Sequence, residues 1–190
     1  MLQLILGPMF SSKTTELLRR LERAQIAGQK VVLLRPNRDT RSKLTHSPVS
    51  VNVKQVFIDR IFDLNERYSY DVIGIDEAQF FDYPNFAADV DILALTHTVI
   101  ACGLNCTSER TPFRPILDLI PLCDKLDMLT AVCTKCGSDM GAFSYYKAGI
   151  KKGDVLVGGK EEYTSLCRVC HSDMTRRKLN DTIDGYQPKP

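Results

Sequence analysis

The sequence predicts an α/β fold, a mostly parallel sheet flanked by helices, with a small zinc-ribbon-like unit held by cysteines toward its C-terminal side. Three observations predict it. Short apolar runs alternate with helix-spaced segments through residues 1–131. The first of those runs ends in a glycine that leads into Ser-Lys-Thr. Two Cys-x-x-Cys pairs bracket a stretch rich in glycine, lysine and tyrosine.

Each element has its own justification. Residues 2–7 are a short apolar run and read as a strand. Residues 14–27 place Leu17, Leu18, Leu21 and Ala24 on one side at helical spacing, with arginines elsewhere, and Gly28 stands where a helix-ending glycine belongs. Residues 30–34 (KVVLL) form a second buried strand. Residues 36–52 are polar and read as a long surface loop. Residues 71–76 (DVIGID) make a third strand that ends in an acid. A helix over 84–95, a strand over 97–104, a short helix between the prolines of 111–123 and a last strand over 125–133 complete the domain. Helical periodicity then stops, so the expected division is 1–131, 132–175 and a polar, mobile tail over 176–190.

Composition narrows the functions. A formal net charge of +2 gives no broad basic field for a nucleic-acid duplex. There is no apolar run long enough to span a membrane, and the short run at 2–6 is no secretory signal, so the expectation is a cytoplasmic protein with neither nucleic acid nor membrane as partner. Seven cysteines, an odd number, argue against a complete disulfide framework.

The stretch Gly7-Pro8-Met9-Phe10-Ser11-Ser12-Lys13-Thr14 matches the phosphate-loop pattern G-x-x-x-x-G-K-[ST] everywhere except Ser12. In such a loop backbone N–H groups and a helix N-terminus face phosphate oxygens. Lys13 would reach the β- and γ-phosphates of ATP, and the Thr14 hydroxyl would hold Mg²⁺. Serine at position 12 narrows the loop or strains it by about 1–3 kcal/mol. The alternative is an ordinary strand–turn–helix with an accidental Lys-Thr. Asp76-Glu77, at the end of an apolar strand, supplies a magnesium-side acid in Asp76 and a base for an acceptor hydroxyl in Glu77; the alternative is a solvated acidic turn. Both sites fall at the C-terminal ends of strands, where open α/β sheets bind ligands.

Cys133, Cys136, Cys167 and Cys170 fit a closed, structural Zn²⁺ site with a long excursion between the pairs. Disulfides or free thiols are the alternative, and His171 is a possible substitute ligand for Cys170. Cys102, Cys106 and Cys123 lack paired spacing and read as small buried hydrophobes.

In order along the chain, "GPMFSSKTTEL", "RDTR", "DEAQFF", the "PF" of "TSERTPF", "LTAVCTKC" and "GGKEEYTSLCRVC" resemble the zinc-containing, tetrameric thymidine kinases, over residues 2 to about 171. The resemblance implies γ-phosphoryl transfer from ATP to the 5′-hydroxyl of thymidine, with Mg²⁺, a structural Zn²⁺, a homotetramer and inhibition by the end-product triphosphate. It gives Lys13 and Thr14 the phosphate and magnesium positions, Asp76 the metal side and Glu77 the base. It sets Asp39 and Arg41 beside the transferring phosphate. It makes the stretch between the cysteine pairs a lasso over the nucleoside, with Val157, Gly158 and Gly159 at the base edge and Tyr163 beside it. Met9, Gln79, Phe80, Phe113 and Ser144 complete the implied nucleoside pocket.

Three places depart from the family pattern: Ser12, Asn105-Cys106, and Ser108, where the family carries an aromatic that packs on the base. Loss of that face lowers base binding by about 1–3 kcal/mol and opens the expected range to deoxyuridine or other pyrimidine deoxynucleosides. A phosphate-loop ATPase whose cysteine unit grips nucleic acid, and an inactive nucleotide-binding relative, are the competing readings.

Overall fold

The computed structural model describes residues 1–39, 52–148 and 159–184, with 179–184 as backbone. β1 (Leu2–Gly7) runs into α1 (Lys13–Ile26), which Ala27 and Gly28 close. β2 (Val31–Pro36), β3 (Lys54–Ile58) and β4 (Val72–Ile75) follow. Then come α2 (Phe86–Ala94), β5 (Thr98–Leu104), α3 (Arg114–Leu119) and β6 (Lys125–Met128). The six strands form one sheet in the order β3-β2-β4-β5-β1-β6. Every neighbouring pair is parallel.

Period-two alternation divides the sheet's residues between two cores. Ile5, Leu33, Val72, Ile100 and Cys102 face α1 and meet Leu17, Leu18 and Leu21. Leu4, Leu6, Val32, Leu34, Ile73, Ile75, Val99 and Ala101 face the other way and meet Phe86, Val90, Ile116 and Leu119 of α2 and α3. Burial on both faces explains why the strands read as unbroken apolar runs. Each fully buried large side chain contributes about 1.5–3 kcal/mol.

Three boundaries differ from expectation. β2 continues through Arg35 and Pro36, because Arg35, buried at 2% exposure, is neutralised by an ion pair and need not end the strand. β3 was not foreseen: it is an edge strand with mostly exposed side chains and a weak apolar signal. The last strand stops at Met128 rather than 133.

Beyond the sheet, β7 (Phe143–Tyr146) and β8 (Tyr163–Leu166) pair antiparallel, and α4 runs over Arg168–Asp184. α4 carries helical structure past 176, into the stretch read from the sequence as a polar tail; residues 185–190 of that stretch lie outside the described residues. Its residues lack helical periodicity, yet it packs on β7. Lys178 Nζ donates to the Tyr146 carbonyl at 2.6 Å and lies 4.2 Å from the Tyr145 ring centroid.

Candidate active site

β1 delivers the loop to the C-terminal edge of the sheet. An added Cβ at Gly7 would meet the Leu129 carbonyl oxygen at 2.5 Å and Ser11 Oγ at 2.7 Å, so no side chain fits there. Ser11 Oγ and Lys13 Nζ both donate to the buried Pro8 carbonyl, at 2.8 and 2.6 Å. Met9 and Phe10 are half-buried. Phe10 (φ 67°) and Ser12 (φ 62°) take left-handed backbone. The Ser12 side chain is exposed, so it does not narrow the loop. What remains is the strain of a non-glycine residue in that region, about 1–2 kcal/mol.

The acid pair follows β4, with β5 lying between β4 and β1. Asp76 is fully buried. Its Oδ1 accepts from Thr14 Oγ1, from the Glu77 N–H and from Cys102 Sγ, each at 3.0 Å. The loop that carries Thr14 and the acid pair are therefore joined by hydrogen bonds at Asp76 Oδ1. Cys102 is buried in the core as expected, and its thiol also donates to that oxygen.

Glu77 is half-buried and left-handed at φ 51°. Gln79 Nε2 donates to Glu77 Oε2, and Gln79 Oε1 accepts from the Leu104 N–H at 3.1 Å. Gly103 makes room for this bridge: a Cβ there would stand 2.8 Å from Gln79 Oε1. The resemblance set Gln79 against the nucleoside; in the structure its carboxamide ties Glu77 to β5.

Asp39 is buried against Arg35, whose Nη2 and Nε reach its Oδ2 at 2.8 and 3.2 Å. Arg35 also donates to Gln55 Oε1 at 3.2 Å and lies over the Phe57 ring. Among the implied pocket residues, Phe80 is half-buried with the Arg38 guanidinium 5.4 Å from its ring centroid. Phe113 starts α3 and packs in the core with Ile116 and Leu119. Arg41, Val157 and Gly158 lie outside the described residues.

The second unit meets the first at a seam. Ser144 Oγ accepts from the Met9 N–H at 2.9 Å, so this expected pocket residue touches the phosphate loop. Asn105 Nδ2 donates to the Ala142 carbonyl at 3.4 Å. His171 Nε2 lies 3.0 Å from the Ser108 carbonyl; a carbonyl only accepts, so the proton belongs on Nε2. Tyr163 is buried beside Tyr146, and its N–H donates to Gly159 O at 3.0 Å. Burial, with nearby Glu109, raises the Tyr163 phenol pKa and keeps it protonated.

The sulfurs of Cys133, Cys136, Cys167 and Cys170 all lie within 4.8 Å of one another and can hold a metal ion. His171 is not in that group; its ring sits between Phe143 and Tyr145. Burial opposes ionisation of Cys133, but the backbone N–H groups of Cys167, Cys136 and Lys135 outweigh it and bring the thiol down to about 6. Burial and the neighbouring thiols push Cys170 up to about 12. A dication would cancel the mutual repulsion of four thiolates.

Sequence reasoning missed Arg35, Cys102 and the Gln79 bridge. Only Arg35 left a signal: an arginine closing an apolar strand needs a buried partner, and Asp39 stands four residues on.

Comparison with known proteins agrees with this geometry. The family model described as thymidine kinase matches residues 1–171. Thymidine kinase 1 of Dictyostelium discoideum is 37% identical, over all of this chain and 82% of its own length. The cytosolic thymidine kinase of Homo sapiens is 38% identical over 90% of this chain and 72% of its own. The Variola virus thymidine kinase is 40% identical over 90% of this chain and 97% of its own. A glycine-led loop joined through Thr14 to Asp76 and Glu77, on a parallel sheet matched almost end to end, places this chain in the thymidine kinase family.

Proposed function

We propose that this chain transfers the γ-phosphoryl group of ATP to the 5′-hydroxyl of thymidine, giving the monophosphate and ADP. The observation that carries the reading is the continuous link from Thr14 through Asp76 to Glu77. Loop N–H groups and Lys13 bind the triphosphate. The Thr14 hydroxyl and Asp76 carboxylate are hard oxygen donors 3.0 Å apart, a set that suits Mg²⁺. When bound, Mg²⁺ supplies charge neutralisation at the phosphates.

Glu77 accepts the 5′-hydroxyl proton as the new O–P bond forms and the bond from γ-phosphorus to the β,γ-bridging oxygen breaks. Gln79 fixes the rotation of the Glu77 carboxylate by holding Oε2. The stretch between the cysteine pairs, with Gly159 and Tyr163, closes over the nucleoside and keeps water from becoming the acceptor. The four cysteines hold a structural Zn²⁺, since an all-sulfur set with no open position suits that ion. Residues 1–131 form the nucleotide-binding domain and 132–175 the zinc and lasso unit.

Asp39 and Arg41 would stand on the phosphate side. Cytoplasmic residence, a homotetramer and inhibition by the end-product triphosphate belong to the same proposal. Among the described residues, no helix is long and apolar enough to cross a membrane. Serine at position 108, where the family carries an aromatic that packs on the base, favours a range of pyrimidine deoxynucleosides rather than thymidine alone.

A panel of deoxynucleosides with ATP and Mg²⁺, beside DNA and a no-acceptor control, tests the reading. Monophosphate formed from thymidine is expected. ATP consumption stimulated by DNA, or nucleotide binding without any transfer, would overturn it.

A further inference from the structure

We propose that Cys102 is a positioning residue, whose thiol proton aims the Asp76 carboxylate at the magnesium side of the site. The inference rests on the reading of Asp76 given above.

Cys102 is the fifth residue of β5, on the face that α1 covers, and is 1% exposed. It pairs in register with Ile5 and shares an apolar cluster with Leu17, Leu18 and Ile100, side chains that offer no polar partner. Among the described residues, the polar contact of the thiol is Asp76 Oδ1 at 3.0 Å, short for a sulfur donor. β5 is the strand between β4, which carries Asp76, and β1, which carries the loop. The thiol therefore reaches the carboxylate from below while Thr14 reaches it from the loop.

A carboxylate turns about its Cβ–Cγ bond unless its oxygens are held. Thr14 can face the ion with an oxygen lone pair and still donate its proton to Oδ1. The Glu77 N–H and the Cys102 S–H add two donors to Oδ1 that do not themselves ligate the ion. An ionised carboxylate oxygen only accepts, so the proton of this contact sits on sulfur. A thiol is also a weak donor. It orients the carboxylate while withdrawing little of the negative charge that a cation needs, a balance that a hydroxyl would shift only modestly and a methyl would abolish.

The test is ADP binding to the full chain by calorimetry, with and without added magnesium and without strong chelator, so that the cysteine cluster stays loaded. The magnesium gain is the ratio of the two dissociation constants. Partners that hold a ligating carboxylate typically contribute 10–100-fold in metal affinity. Cys102→Ala should cut the gain by about tenfold with magnesium-free ADP affinity unchanged, and Cys102→Ser should restore it to within about threefold. A gain that survives Cys102→Ala, or a serine no better than alanine, would overturn the inference alone. An unaltered chain whose ADP binding ignores magnesium would overturn the reading of Asp76 and this inference with it.

Should Cys102→Ala not fold, the infrared S–H band of Cys102, isolated as the difference between the unaltered chain and Cys102→Ser, decides. A hydrogen-bonded band that moves when magnesium and ADP are added supports the assignment. A free-thiol band overturns it.

Discussion

The two ends of this molecule are held by different physics. The phosphate-loop end rests on a parallel sheet with apolar cores on both faces, and its charged groups hang on buried hydrogen bonds. Among the described residues, the cysteine end has a core of Cys133, Tyr145, Leu166 and Cys170, with Cys167 and Met174 packed against it. Burial suffices for the first; the second brings four sulfurs close enough to hold a metal ion, which would staple it. Under the proposed function, a rigid end for charge and a stapled end over the substrate suit a transfer reaction that must admit nucleoside and exclude water.

The sharpest break in that comparison is chemical. Glu77→Gln keeps size and the contact to Gln79 but cannot take a proton. Turnover should fall about 10²–10⁴-fold with ATP affinity within threefold of the unaltered chain; steady-state rates and calorimetry check it. Next comes the buried ion pair that stiffens the rigid end. Asp39→Ala removes the carboxylate paired with buried Arg35 and should lower stability by about 3–5 kcal/mol in denaturant unfolding. A smaller loss would show that Gln55 and Phe57 suffice for the guanidinium.

Metal removal then tests the independence of the two ends. Strong chelation should cut turnover by about 10–100-fold, while ADP affinity and the circular dichroism of the parallel sheet hold. If ADP affinity fell equally, the Met9–Ser144 hydrogen bond would be coupling the ends into one unit. The smallest effect lies in the loop. Ser12→Gly relieves left-handed strain but adds chain entropy, so it should raise stability by about 1 kcal/mol or less, with turnover kept or increased. Lower turnover would mean that the Ser12 side chain itself takes part.

Much of the rigid end was legible because its signals are local. An apolar run, a glycine, Lys-Thr and an amphipathic helix sit within one stretch, and the acid pair closes another run. What escaped was set by packing across the sheet. The Cys102 thiol meets Asp76 only because β5 lies beside β4 in the sheet, and nothing in "VIACGL" marks it as polar. The same holds for Gln79, whose partner Leu104 belongs to another strand. At the cysteine end the ligand set was legible by spacing. α4 was not, since contacts with Tyr145 and Tyr146 sustain it rather than periodicity.

Glu77 sits in a backbone region that every residue except glycine, and to a lesser degree asparagine and aspartate, resists. A chain that had given up phosphoryl transfer and kept only nucleotide binding would lose nothing by relaxing that position, and would gain heat tolerance by doing so. A strained glutamate beside buried Asp76 therefore suits a working enzyme better than a retired one.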